Sequence, residues 1–273
     1  MYGIIAAFQD FSIIKGYLRS PWVGLRNFTD MFNNAAFKGI FLYTMQLSFT
    51  KYILGIIIPV TFALLLNELI NKPFKRIVQT LSYLPHFFSW VIVAGMTYRF
   101  LDTDGPLNSL LSNWFNVQPI QFLGRSKYFF SIVVVSANWK ETGFGAIIYL
   151  AALTAIDPTL YEAASIDGAG KMRKIFHITL PGILPTIIML AILQAGSLAG
   201  AGFDQVFNLQ NPVIRSDTHV LETFIYLQGV EKANYSFGIA AGLFQGLLAS
   251  AFLLLTNFLS QRVLGSGIFK LVD

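Results

Sequence analysis

The residues able to do chemistry in this chain are few and scattered. His86, His177 and His219 stand on three separate segments with no metal-ligand spacing, which points to structural or solvated roles. With no Cys, disulfides and thiolate-bound metals are excluded. Gly168-Ala169-Gly170-Lys171 has the outline of a phosphate-binding loop, but Met172 stands where Ser or Thr must hold magnesium, and Ser165 where the first Gly belongs. No Gly-x-Ser-x-Gly elbow or His-Glu-x-x-His helix occurs in the sequence. What remains is polarity inside apolar runs. Lys51 lies only six residues into its run, where it can snorkel outward, and it reads as structural. Lys140 and Glu141 are deeper. As neighbours they point about 100° apart, so they are expected not to pair simply, with at least one turned to a water-filled path or another helix. Asn138, Gln194, Gln205 and Gln245 are the other polar groups able to line a path through an apolar bundle.

These residues must be positioned by membrane helices. The sequence is 55% hydrophobic and only 12% charged, against about 25% charged in soluble domains, and its mean hydropathy is +0.60. The net charge of +5 is scattered rather than clustered, as expected for the basic flanks of spans and not for a nucleic-acid footprint. Five apolar runs are each long enough to cross a bilayer: residues 46–66 with Pro59 as a kink, 81–101 with Pro85 near one end, 129–153, 183–203 and 237–259. Gly238, Gly242 and Gly246 repeat every four residues on the last run, a pattern that lets helix backbones approach closely. Residues 10–43 read as a connection with short helical pieces around 25–37.

Between two of these runs lies a polar island, Tyr161 to Pro185. Asp157-Pro158 is a helix start, because Pro fits the first turn and Asp can accept from the free amides there. Gly168 and Gly170 offer the backbone a place to turn. Lys171, Arg173 and Lys174 then lead into a second amphipathic piece expected to end near Leu180, before Pro181 and Pro185 begin a new segment. The unit is helix, glycine turn, helix. It is too polar to span and too apolar on one side to be left uncovered, so a protein partner is expected on it.

Glu162-Ala163-Ala164, Gly168, and Ile178-Thr179-Leu180-Pro181 together look like the E-A-A loop of the membrane subunits of binding-protein-dependent ABC importers. The Tyr2 to Phe28 stretch and the Trp139 to Phe144 pattern resemble the polysaccharide and oligosaccharide permeases of that family. The resemblance implies an all-α polytopic helix bundle forming a single transmembrane domain over residues 1–273. It implies five complete spans plus the end of a sixth, N-terminal one, most of which is expected to lie upstream of Met1. It makes residues 157–180 a cytoplasmic coupling loop, with Glu162 pairing with a basic residue of an ATPase subunit, Ala163 and Ala164 permitting close approach, and Gly168 forming the turn. Ile178, Leu180 and Pro181 complete the motif. Residues 204–236 become an external loop facing a solute-binding protein, with a short helix over 217–228 capped by Asp217 or Thr218.

Positive charge agrees with that orientation by density rather than count: eight Lys and Arg fall in the segments placed inside, nine in outer segments about twice as long. The partners implied are a second permease subunit, expected to be a different chain, two ATPase subunits carrying ATP and Mg, and the external binding protein; this chain is expected to bind no cofactor itself. Location would be a bacterial-type inner membrane. Carbohydrate is the expected cargo, with Asn138, Lys140, Glu141, Gln194, Gln205 and Gln245 the candidate contacts. The alternatives are another cargo class, such as amino acids or phosphate esters, and a scaffold that holds a cytosolic partner without transport. An embedded enzyme would need a cluster of acids or His within the spans, and Glu141 is the only acid there, with His86 near one end of its run.

Overall fold

Apolar runs fold as helices in lipid because the bilayer core offers backbone amides and carbonyls no other partner. A computed structural model describes residues 2–264, with side chains from 3 to 262; the expected C-terminal inner segment past residue 264, with Lys270, lies outside the described residues. Within them, regular structure is helical, apart from one isolated bridge between Gln9 and Trp22. Among the described residues, three helices are long and apolar enough to cross a membrane: Phe37–Asn67, Lys171–Ala199 and Tyr235–Arg262. The number reaches five if two broken pairs each count as one span, Lys72–Phe87 with Trp90–Phe115, and Ser126–Thr154 with Pro158–Ile166.

Several boundaries depart from the sequence reading. The first long helix begins at Phe37, so residues 37–43 belong to it and not to the preceding connection. The cause is packing: Phe37, Ile40 and Phe41 join a core with Met31, Leu221 and Phe224. The run 81–101 is not continuous. Helix Lys72–Tyr83 passes into a tight turn, Leu84–Phe87, the chain extends at Phe88, and a new helix starts at Trp90 with Ser89 as its cap. Pro181 does not start a separate segment either. The chain takes a π-helical turn over Ile175–Thr179, with the Leu180 amide reaching back five residues to the Ile175 carbonyl. That wider turn shifts the hydrogen-bond register just where Pro181 lacks a donor, so the helix runs on into the span.

The described chain divides into two compact units. One comprises residues 2–51, 89–136 and 196–252. Its core of Met31, Phe37, Leu221, Phe224, Phe237 and Ala241 is tied by the Leu221 amide donating to Thr44 Oγ1 at 2.8 Å. The other comprises 52–88, 137–195 and 253–264, around Val60, Ala63, Ala146, Tyr149, Leu153 and Ile183. There the Ser82 carbonyl lies so close to Gly143 that a Cβ would not fit between them, and a Cβ at Gly182 would stand 2.8 Å from Ile156 Cδ1.

Candidate functional site

The polar island folds as its residue types dictate. Asp157 Oδ1 accepts from the Thr159 amide at 2.9 Å, and helix Pro158–Ile166 follows with Pro at its first turn. That hydrogen bond holds the Asp157 carboxyl below its ordinary pKa. The helix ends in a Schellman motif: the Gly168 amide donates to the Ser165 carbonyl at 3.1 Å and the Ala169 amide to the Ala164 carbonyl at 2.8 Å, with Gly168 at φ +73°. Gly170 takes no part in the left-handed turn. It has φ −69° and caps the next helix.

Two side-chain links close the elbow. Tyr161 OH lies 3.0 Å from Thr179 Oγ1, and Lys174 Nζ donates to Ser165 Oγ at 2.5 Å. A third, Lys171 Nζ to Glu68 Oε2 at 3.5 Å, joins the second arm to the residue just past the first long helix, Phe37–Asn67. None of the three was legible beforehand, since partners nine, 18 and 103 residues apart carry no periodic signal. The links leave Glu162 exposed and making no hydrogen bond or ion pair among the described residues. Leu160, Ala163, Ile166, Met172 and Phe176 are exposed as well, so both arms of the elbow present apolar side chains. Ala164, Ile178 and Leu180 are half-buried, and Pro181 is exposed at the head of the following helix.

The charges inside the runs behave differently from expectation. Lys140 and Glu141 do pair, at 3.1 Å, because both reach the turn at His86. Lys140 Nζ donates to the His86 carbonyl at 2.6 Å, Glu141 Oε2 accepts from His86 Nδ1 at 2.8 Å, and the imidazole stacks on Phe144 at 3.8 Å. Lys140 is buried and Glu141 half exposed. Lys51 is half-buried and held by groups of other segments. Its Nζ donates to the Ala201 carbonyl and to Gln205 Oε1, each at 2.7 Å. Gln205 is buried, with its amide donating to the Val133 carbonyl and Ser136 Oγ. Gln245 donates to the Ala199 carbonyl at 3.3 Å, Asn138 is half-buried, and Gln194 is exposed.

The 204–236 segment is more structured than a connector. It holds helix Phe203–Leu209 and helix Leu221–Tyr226, the latter begun at Val220 rather than at Asp217 or Thr218, with the Val220 amide donating to Thr223 Oγ1 at 3.0 Å. Asp217 lies in a tight turn, Arg215–Asp217. A cavity of about 360 Å³ opens beside these helices, lined among others by Phe203, Glu222, Tyr226, Tyr235 and Gly238. Phe203, Phe207 and Tyr226 form a ring cluster with centroids 5.0 to 5.4 Å apart. Glu222 Oε1 accepts from the Gly202 amide at 3.0 Å, and Oε2 is buried with no hydrogen-bond partner among the described residues. The sequence reading missed Glu222; its spacing of four from Tyr226 on a short helix was the available signal.

Comparison with known proteins adds a family to this geometry. The family model "binding-protein-dependent transport system inner membrane component" matches residues 52–266. The chain is 38% identical over 269 residues to the polygalacturonan/rhamnogalacturonan transport system permease protein YteP of Bacillus subtilis (strain 168), covering 98% of this chain and 84% of that protein. Among solved structures, it is similar to a bacterial ABC transporter involved in the import of the acidic polysaccharide alginate, with TM-score 0.88, 36% identity, and 96% and 88% of the two chains covered. A bacterial alginate ABC transporter in complex with an alginate pentasaccharide-bound periplasmic protein matches with TM-score 0.86, 37% identity, and 90% and 85% covered.

Proposed function

Because this chain belongs to the binding-protein-dependent transport system inner membrane component family, we propose that it forms one half of the path by which an ATP-driven importer takes up an oligosaccharide or polysaccharide. It is a multi-pass membrane permease subunit and not itself an enzyme. The cargo class rests on relatives named for polygalacturonan, rhamnogalacturonan and alginate. The aromatic cavity beside Phe203 and Tyr226 supports it, since sugar rings pack their C–H faces on such surfaces.

The observation that carries the coupling role is the exposed Glu162 on a short helix braced by Tyr161–Thr179 and Ser165–Lys174, with Leu160, Ile166 and Met172 exposed on the same elbow. In this reading the elbow faces the cytoplasm and docks on one of two ATPase subunits, which hold ATP and Mg. Glu162 meets a basic residue there, and the apolar side chains supply the buried contact. A second permease subunit completes the path, and an external binding protein delivers cargo to the 204–236 side. Closure of the ATPase pair then moves the elbows and swings the spans between inward-open and outward-open forms.

The test is Glu162→Lys in the assembled transporter. The variant is expected to insert and assemble, yet to lose most sugar uptake and most of the ATPase stimulation produced by loaded binding protein. Wild-type uptake in that variant would sink the coupling role. Cargo is tested separately, by titrating the cognate binding protein with galacturonate, rhamnogalacturonan, neutral oligosaccharides and amino acids; preference for an amino acid would overturn the carbohydrate assignment.

A further inference from the structure

The helix Lys72–Tyr83 has a face that the transport reading leaves unused. Phe74, Ile77 and Leu81 fall within an arc of about 60° on it, and they are 52%, 57% and 64% exposed. Lys72, Lys75 and Arg76 occupy the other half, and the helix carries no acid. Its rotation is fixed by the Ser82 carbonyl lodged against Gly143. Ser82 stands about 80° round from Phe74 at 100° per residue, so the apolar arc is turned away from that contact.

The position of the helix along the membrane follows from its neighbour. Helix Phe37–Asn67 has 31 residues and is therefore about 46 Å long, more than the ~30 Å hydrocarbon core. Residues 68–71 can then carry the chain no more than about 14 Å before the next helix begins. That helix opens at once, with Asn71 Oδ1 accepting from the Phe74 amide at 3.0 Å. Its first turn thus sits at the membrane surface, on the side of the elbow, since Glu68 is bonded to Lys171.

We propose that helix Lys72–Tyr83 lies in the membrane interface and that the lipid surface is its occupant: Phe74, Ile77 and Leu81 enter the acyl layer while the exposed Lys72 and Arg76 hold anionic headgroups. The charge decides for lipid over a protein partner, because three cations without an acid beside an apolar arc match a surface that is apolar inside and negative at its rim. Which leaflet this is rests on the orientation proposed above.

The wild-type chain has no Cys, so one probe can be placed at a time. In the assembled transporter in lipid nanodiscs, a fluorophore on Ile77→Cys is expected to be quenched at least about twofold more by shallow nitroxide-labelled lipid than one on Arg76→Cys, as interfacial depth requires. Adding phosphatidylglycerol to phosphatidylcholine discs is expected to raise the thermal midpoint, and Lys72→Gln/Arg76→Gln to lose most of that rise while keeping its activity in neutral lipid. An Ile77 probe shielded from lipid would assign the face to a protein partner and overturn the proposal. An undiminished phosphatidylglycerol effect in the double variant would overturn the headgroup contact. Nanodiscs expose both membrane faces, so neither result depends on which face is cytoplasmic.

Discussion

Gly168 and Gly170 look alike in the sequence and differ in the fold. Gly168 sits at φ +73° and closes the Schellman turn, whereas Gly170 has an ordinary φ and open space at its Cβ position. Gly168→Ala is therefore expected to cost about 1 kcal/mol of local stability, through left-handed strain, and to weaken coupling. Gly170→Ala should change neither. Thermal unfolding and binding-protein-stimulated ATPase of the two variants side by side check this, and equal effects would show that the turn is not what matters. The charged residues teach a related lesson. Lys51, Lys140 and Glu141 stand in apolar runs, but each is held by groups from distant segments, and their neighbours Gln205 and His86 are held with them. Lys140 and Gln205 are buried in those contacts, which sets them apart from the exposed Gln194 among the polar groups expected along the path.

At the scale of elements, the three glycines spaced by four on the last span differ in what they meet within the chain. Gly238 packs against Gly229, where a Cβ would come within 2.7 Å of the opposing Cα, but Gly242 and Gly246 meet nothing within 4 Å. Gly143, outside that stripe, is the tighter position. Gly143→Ala is expected to destabilise the fold by about 1–3 kcal/mol because backbone, and not a movable side chain, stands in the way. Gly242→Ala should be silent in the isolated chain, so a loss seen only in the assembled transporter would report a partner helix at that face. The 204–236 segment carries its own titration. His219 is buried, and that burial, reinforced by the Arg215 charge, holds its pKa below the ordinary 6.5. A His with a depressed folded pKa contributes stability that is complete above the unfolded value and is lost as pH falls below it. The protection of amides over residues 215–231, taken relative to their intrinsic exchange rate at each pH, is thus expected to fall below about pH 6.5, and His219→Gln should flatten that dependence. An unchanged pH profile in the variant would exclude His219 as its source.

For the whole molecule, only 22%, 17% and 11% of the most apolar windows of the three continuous candidate spans are buried within the chain. The remaining apolar surface is left for lipid and for other subunits, in keeping with a permease that works in an assembly. Sidedness is the decisive property at this scale. In membranes stripped of the ATPase subunits, single cysteines at the exposed Ile166 and at Ser216 should react with a membrane-impermeant maleimide from opposite faces, Ile166 only from the cytoplasmic one. Reaction of Ile166 from outside would remove the elbow from any ATPase.

Part of this protein could be read directly along the chain. Helical type, the Asp157 cap, the Gly168 turn and the Glu162-Ala163-Ala164 elbow all follow from interactions spanning a few residues, where side-chain type alone selects the backbone. Other features had no such local cause. The break at Leu84–Phe87, the early start of the span at Phe37, and the pairing of Lys140 with Glu141 at His86 each depend on groups more than 50 residues away. Only packing decides which distant carbonyl or carboxylate a buried charge will meet, because in a low-dielectric interior the charge must find one somewhere and sequence spacing does not say where.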